Sequence, residues 1–143
     1  MFEQLGLIGC GLMGGSFALA LRKAGLVKTI VGFSASEKTR QRAVELKVLD
    51  HACTNVADAV RGADLVLLAV PVGAMQVSFS AMRDALQPSA LLMDVGSTKC
   101  DVIAAAQASL GERLSCFVPA HPIAGKEVAG IEHADSTLYQ KRR

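Results

Sequence analysis

An α/β architecture, a doubly wound and mostly parallel sheet with helices on both faces, follows from three observations on the 143 residues. Short apolar runs alternate with longer amphipathic ones along the whole chain, the pattern of strand–helix–strand units. A glycine-rich stretch, GLIGCGLMGGS at 6–16, separates a strand-like run from a helix-like one. The composition is 51% hydrophobic but only 4% aromatic, with no Trp, so the interior is aliphatic, as strands buried on both faces require.

Taken in order, Leu5 to Ile8 reads as a strand and Leu12 to Ala24 as a helix that stops at Gly25. Thr29 to Phe33 is rich in β-branched residues and reads as a strand. Glu37 to Leu46 has helical spacing, with Ser36 as its N-cap. Val56 to Val60 reads as a short helix. Asp64 to Val70 is a near-continuous apolar run of buried-strand length, stopped by Pro71. Met75 to Leu86 reads as a helix, Leu91 to Val95 as a strand, Cys100 to Leu110 as a helix and Cys116 to Pro119 as a strand. Residues 1–143 form one domain, with no internal repeat or linker. The chain stops soon after a glycine-rich loop and not on a packed element, and it is expected to be a fragment of a longer protein.

In the glycine stretch, Gly9-x-Gly11-x-x-Gly14 follows a strand and opens a helix, the setting in which the spacing carries meaning. Gly9 permits a tight turn, Gly11 lets a pyrophosphate approach the backbone, and Gly14 lets the helix pack closely on the strand. The loop Gly9, Cys10, Gly11, Leu12, Met13 and Gly14 is therefore expected to hold dinucleotide phosphates, helped by the helix N-terminus. That makes the fold Rossmann-type. NAD-dependent domains usually place an acidic residue about 20 residues further on, against the ribose 2′-hydroxyl. Here Ser34 stands there, and nothing at that place repels a 2′-phosphate. Ser34 and Ser36 can donate hydrogen bonds, and Lys38 and Arg40 supply charge, so NADP is favoured over NAD; Glu37 argues the other way.

Other function classes are disfavoured. A net charge of +2, with basic residues scattered except at Lys141, Arg142 and Arg143, gives no basis for nucleic-acid binding. Cys10, Cys53, Cys100 and Cys116 form no C-x-x-C pair, so neither a metal site nor a redox dithiol is expected, and the thiols read as small packed hydrophobes. No run of 18 apolar residues and no signal-peptide pattern occurs. The expected setting is cytoplasmic, without a membrane partner.

Ligands of open α/β sheets bind beyond the carboxyl ends of the strands. Three segments belong there: Val70-Pro71-Val72-Gly73, Gly96-Ser97-Thr98-Lys99, and His121 to Glu127. Val70, Pro71, Val72 and Gly96 are expected against the cofactor. Of the three histidines only His121 stands at such a strand end, where a neutral imidazole can accept a proton from a substrate hydroxyl as hydride leaves the same carbon. Ser97 can hold that hydroxyl or the ring, and Lys99 can face a carboxylate. His51 and His133 are expected to be structural or surface residues.

GLIGCGLMGGSFALALR, DVGSTK and HPIAGKEVAGIEHAD together resemble the nucleotide-binding domain of the prephenate/arogenate (cyclohexadienyl) dehydrogenases of tyrosine biosynthesis. The last block is the most telling, because generic nucleotide binding does not account for it. The resemblance implies NAD(P)-dependent oxidative decarboxylation of prephenate to 4-hydroxyphenylpyruvate, or of arogenate to tyrosine. It places the catalytic histidine at His121, accepting a hydrogen bond from the 4-hydroxyl, and a serine beside that hydroxyl at Ser97. Ser34 matches members that use NADP. Lys126 departs from the small residue commoner there, and its role is open. The resemblance further implies a helical second domain, absent here, that forms a homodimer and supplies basic groups for the substrate carboxylates. Two rival readings stand beside it: a β-hydroxyacid dehydrogenase-type oxidoreductase, and a non-catalytic NAD(P)-sensing module. The first leaves the HPIAG block unexplained, the second leaves His121 and Ser97 unexplained.

Overall fold

The structure is a computed structural model that describes residues 1–96, 99–120 and 131–137, the side chain of His133 excepted. Its strands are β1 (Phe2–Ile8), β2 (Val27–Phe33), β3 (His51–Ala52), β4 (Leu65–Leu68), β5 (Leu91–Asp94) and β6 (Phe117–Val118), all parallel, in the order β3-β2-β1-β4-β5-β6. The helices are α1 (Leu12–Lys23), α2 (Glu37–Glu45), α3 (Val56–Val60), α4 (Met75–Met82) and α5 (Lys99–Ser109). The order reverses between β1 and β4, which makes their carboxyl ends the switch point of a doubly wound sheet.

Period-two alternation sends side chains to two cores. Leu5, Leu7, Ile30, Leu65 and Leu67 pack with Ala18 of α1 and Ala43 of α2 on one face. Ile8, Val31, Val66, Leu68 and Leu92 pack with Val60, Phe79 and Val102 on the other. Phe79 meets Phe117 edge to face, with ring centroids 5.3 Å apart. Gly6 lets α3 lie directly on β1: a Cβ there would sit 2.8 Å from the Ala59 carbonyl oxygen.

The structure departs from the sequence reading in small ways with physical causes. β1 begins at Phe2, three residues before the apolar run, because Phe2 registers against Val27 and the N–H groups of Glu3 and Gln4 donate to the Asp64 carboxylate, each at 2.9 Å. β3 was not expected: two exposed residues, one of them polar, carry no apolar signal, yet they pair with Val31 and Gly32. α4 closes at Met82, and its last expected turn is a looser one in which Ala85 and Leu86 both donate to the Met82 carbonyl.

Candidate functional site

The chain leaves β1 through Gly9, whose φ of +97° is costly for any residue with a Cβ, and a Cβ there would also lie 2.3 Å from the Ala69 carbonyl oxygen. Gly14 faces the same constraint from the other side, since its Cβ would lie 2.3 Å from the Gly9 carbonyl oxygen and 3.1 Å from Ala69 Cβ and Leu7 Cδ1. Gly11 differs: nothing stands within 4 Å of its missing Cβ, so its open side faces space that a ligand can enter. Gly11 is also the N-cap of α1, where no side chain caps the helix and no acidic residue lies in the first turn. An uncapped helix start with an open backbone face is suited to an anion such as a pyrophosphate. Cys10 between them is buried, its Sγ donating to the Phe33 carbonyl at 3.6 Å, and burial pushes its thiol pKa up to about 12. Cys53 and Cys116 are half-buried, whereas Cys100 is exposed on α5 and does not pack as a small hydrophobe.

The glycine turn forms one wall of a cleft of about 910 Å³. Phe33, Ser34, Lys38, Thr39 and Arg42 line it from the β2–α2 side, Val70, Pro71, Ala74 and Val77 from the β4–α4 side. Ser34 stands at the end of β2, as its place after Phe33 requires. Ser36 does not line the cleft; its hydroxyl accepts from the Thr39 N–H at 3.2 Å and caps α2. Arg40 turns away as well, donating to the carbonyls of Ser34 at 2.6 Å and Ala35 at 3.4 Å, so its charge holds the loop and not the cleft. Lys38 lines it. Arg42, one turn beyond Lys38 on the same face of α2, lines it too and was not singled out by the sequence.

A second missed feature lies at the carboxyl end of β5. Asp94 is fully buried, and its carboxylate accepts from the N–H of Gly96 (2.8 Å), the N–H of Ala120 (3.0 Å) and the Lys99 ammonium (2.5 Å). Lys99 Nζ also donates to the Ala120 carbonyl oxygen. Lys99, expected to face a substrate carboxylate, instead joins Asp94 to the end of β6. A buried charge is tolerated only with such partners. The sequence signal was DVGSTK itself, where a lone acidic residue closes an apolar strand and is followed by a lysine five positions on. Ser97 directly follows Gly96 and His121 directly follows Ala120, but both lie outside the described residues, as does Lys126.

The third missed feature is the segment after the HPIAG block. A 3-10 turn, Ile131–His133, packs on α1: Ile131 is buried, a Cβ on Gly15 would lie 2.6 Å from its Cδ1, and the Asp135 N–H donates to the buried Ser16 hydroxyl at 2.8 Å. The glycine at position 15 and the serine at 16 thus serve this docking. Ile131 and Glu132 reach the cleft wall, where Glu132 meets Arg42 at 3.5 Å.

The chain is similar to known proteins in sequence and fold. The family model described as "Prephenate dehydrogenase, nucleotide-binding domain" matches residues 17–143. The cyclohexadienyl dehydrogenase of Zymomonas mobilis is 39% identical over 140 residues, covering 98% of this chain and 47% of that protein. The solved prephenate dehydrogenase of A. aeolicus, in complex with hydroxyphenyl propionate and NAD+, superposes with a TM-score of 0.88 at 31% identity, covering 99% of this chain and 49% of that one. The Synechocystis arogenate dehydrogenase does so with a TM-score of 0.83 at 29% identity, over 95% of this chain and 46% of that one. The chain therefore spans about half the length of these relatives. It belongs to the prephenate dehydrogenase family, as the nucleotide-binding domain.

Proposed function

We propose that this chain is the cofactor-binding part of an NAD(P)-dependent dehydrogenase that oxidatively decarboxylates prephenate or arogenate in tyrosine biosynthesis. The observation that carries the cofactor half of this reading is the turn at Gly9–Gly14, with Gly11 open and α1 uncapped at the switch point of the sheet. The pyrophosphate lies against that turn, and the adenosine half of the cofactor extends toward Ser34 at the end of β2. NADP is the preferred cofactor, because Ser34 leaves the 2′-position without a carboxylate and Lys38 lines the cleft beside it. The nicotinamide supplies the hydride acceptor.

The chemistry belongs to the same carboxyl rim, beyond β5 and β6. His121 takes the hydrogen bond, then the proton, of the ring 4-hydroxyl as hydride leaves the carbon bearing it, and Ser97 holds the same hydroxyl. Carbon dioxide departs and the ring becomes aromatic, which makes the step effectively irreversible. Support for this placement comes from the Asp94 carboxylate, which binds the backbone of the residues immediately before Ser97 and His121. In this reading the substrate carboxylates are met by parts of the protein corresponding to the other half of its relatives, and those parts pair the protein as a homodimer.

Calorimetric titration of the chain with NADP and with NAD tests the cofactor half; binding of neither overturns it. In the full-length protein, His121→Asn should leave nucleotide affinity within about twofold and lower kcat by about a thousandfold or more. Normal turnover by that variant with prephenate or arogenate would remove His121 from the reaction.

A further inference from the structure

One of the cations lining the cleft on the Ser34 side, Arg42, is already held by a carboxylate from far along the sequence. Lys38, Thr39 and Arg42 lie at i, i+1 and i+4 on α2, so they share the helix face that lines the cleft next to Ser34. Arg42 Nε meets Glu132 Oε1 at 3.5 Å, and its Nη1 meets Glu45 Oε2 at 3.1 Å. Glu132 lines the same cleft, whereas Glu45 lies behind it on α2. Glu132 is not a drifting surface charge: the buried Ile131 beside it and the Asp135–Ser16 bond seat its turn on α1.

We infer that the Arg42–Glu132 pair is the discriminator between NADP and NAD. This rests on the reading above that a nicotinamide dinucleotide fills the cleft. A 2′-phosphate is a dianion that competes with Glu132 for the Arg42 guanidinium and is repelled by the carboxylate it displaces. A 2′-hydroxyl meets neither effect. Both side chains are about half exposed, at 43% and 56%, and such pairs are weak enough for a phosphate to open. Arg42 offers the fork that binds phosphate through two parallel N–H groups, and Glu132 sets how much of that binding is realised. The pair thus tunes the preference that Ser34 permits, from a residue some ninety positions beyond the usual discriminating loop.

The test is the ratio of NADP to NAD affinity, measured by titration on this chain. Glu132→Gln should raise that ratio by about tenfold at low ionic strength, and the gain should shrink as salt rises. Arg42→Gln should lower the ratio by about tenfold or more, and Glu132→Gln added to it should then have little further effect. Melting curves establish that both variants are folded. If the wild-type chain binds either nucleotide but the ratio moves in neither variant, the discriminator is not this pair. If Glu132→Gln shifts both affinities equally, Glu132 acts on the cleft as a whole and the inference likewise fails. If the wild-type chain binds neither nucleotide, the cofactor reading falls first.

Discussion

Carboxylates at the two rims of the sheet do different jobs. At the amino rim Asp50 and Asp64 each stand just before a strand, β3 and β4, and each accepts N–H groups from the strand alongside. Asp50 takes that of Ile30 at 2.7 Å, and Asp64 those of Glu3 and Gln4. Both remain partly exposed. At the carboxyl rim Asp94 closes β5, is fully buried, and binds segments that lead away from the sheet toward Ser97 and His121. At the amino rim the carboxylates satisfy strand N–H groups, and Asp50 also pairs with Arg22 at 3.2 Å, with both side chains still partly in solvent. The carboxyl rim has to hold several departing loops at once, and a shielded charge with a cation beside it does that more rigidly.

The comparison can be broken most severely at the glycine turn. Gly14→Val places atoms into the Gly9 carbonyl and Ala69, which are backbone and packed side chain with nowhere to retreat. It should cost about 3 kcal/mol or more in chemical denaturation and abolish nucleotide binding. Gly25→Ala makes a useful contrast: φ is +70° but no atom lies near, so about 1 kcal/mol is expected, with binding retained.

Next in size is the Asp94 hub. Asp94→Ala leaves the N–H groups of Gly96 and Ala120 without their acceptor and the Lys99 ammonium without its carboxylate, and should cost about 2–3 kcal/mol by urea denaturation. A cost no larger than that of Asp64→Ala would erase the difference between the rims.

Asp64→Asn should cost only about 1 kcal/mol near neutral pH. Burial pushes the Asp64 carboxyl up, but the N–H groups of Gln4 and Glu3 more than reverse this, so its pKa falls below the ordinary value. Because the folded-state value is the lower one, the carboxylate's contribution is fully present above the unfolded-state pKa of about 4 and is lost as pH drops through the folded-state value. The wild-type and Asn proteins should therefore converge in stability in strong acid, as read from urea midpoints across pH. A gap that persists or widens there would contradict the assignment.

The smallest effect is chemical. With its thiol near 12 and its sulfur buried, Cys10 should resist alkylation at pH 8 while Cys100 reacts readily. Rapid labelling of Cys10 in the folded chain would mean that the glycine turn opens more freely than its packing allows.

Much of this could be read along the chain, because the signals were local. Apolar runs of strand length, Gly9-x-Gly11-x-x-Gly14 between a strand and a helix, and Ser36 before an amphipathic segment each depend on neighbours a few residues away. The doubly wound order followed from that alternation, since parallel strands need helical crossovers between them. What escaped was set by distant partners. β3 carries almost no apolar character and exists because β2 offers it an edge. Arg40 and Lys38 looked equivalent on α2, yet helix phase sends one to the loop carbonyls and the other to the cleft. Lys99 read as a possible substrate cation until the fold brought the Ala120 carbonyl beside it. Glu132 gave no sign of facing Arg42, because only the docking of Ile131 and Asp135 on α1 carries it there. Short-range sterics and hydrophobic periodicity therefore specify which elements form. Which charges meet is decided only when crossover connections bring residues about ninety positions apart within a few ångströms.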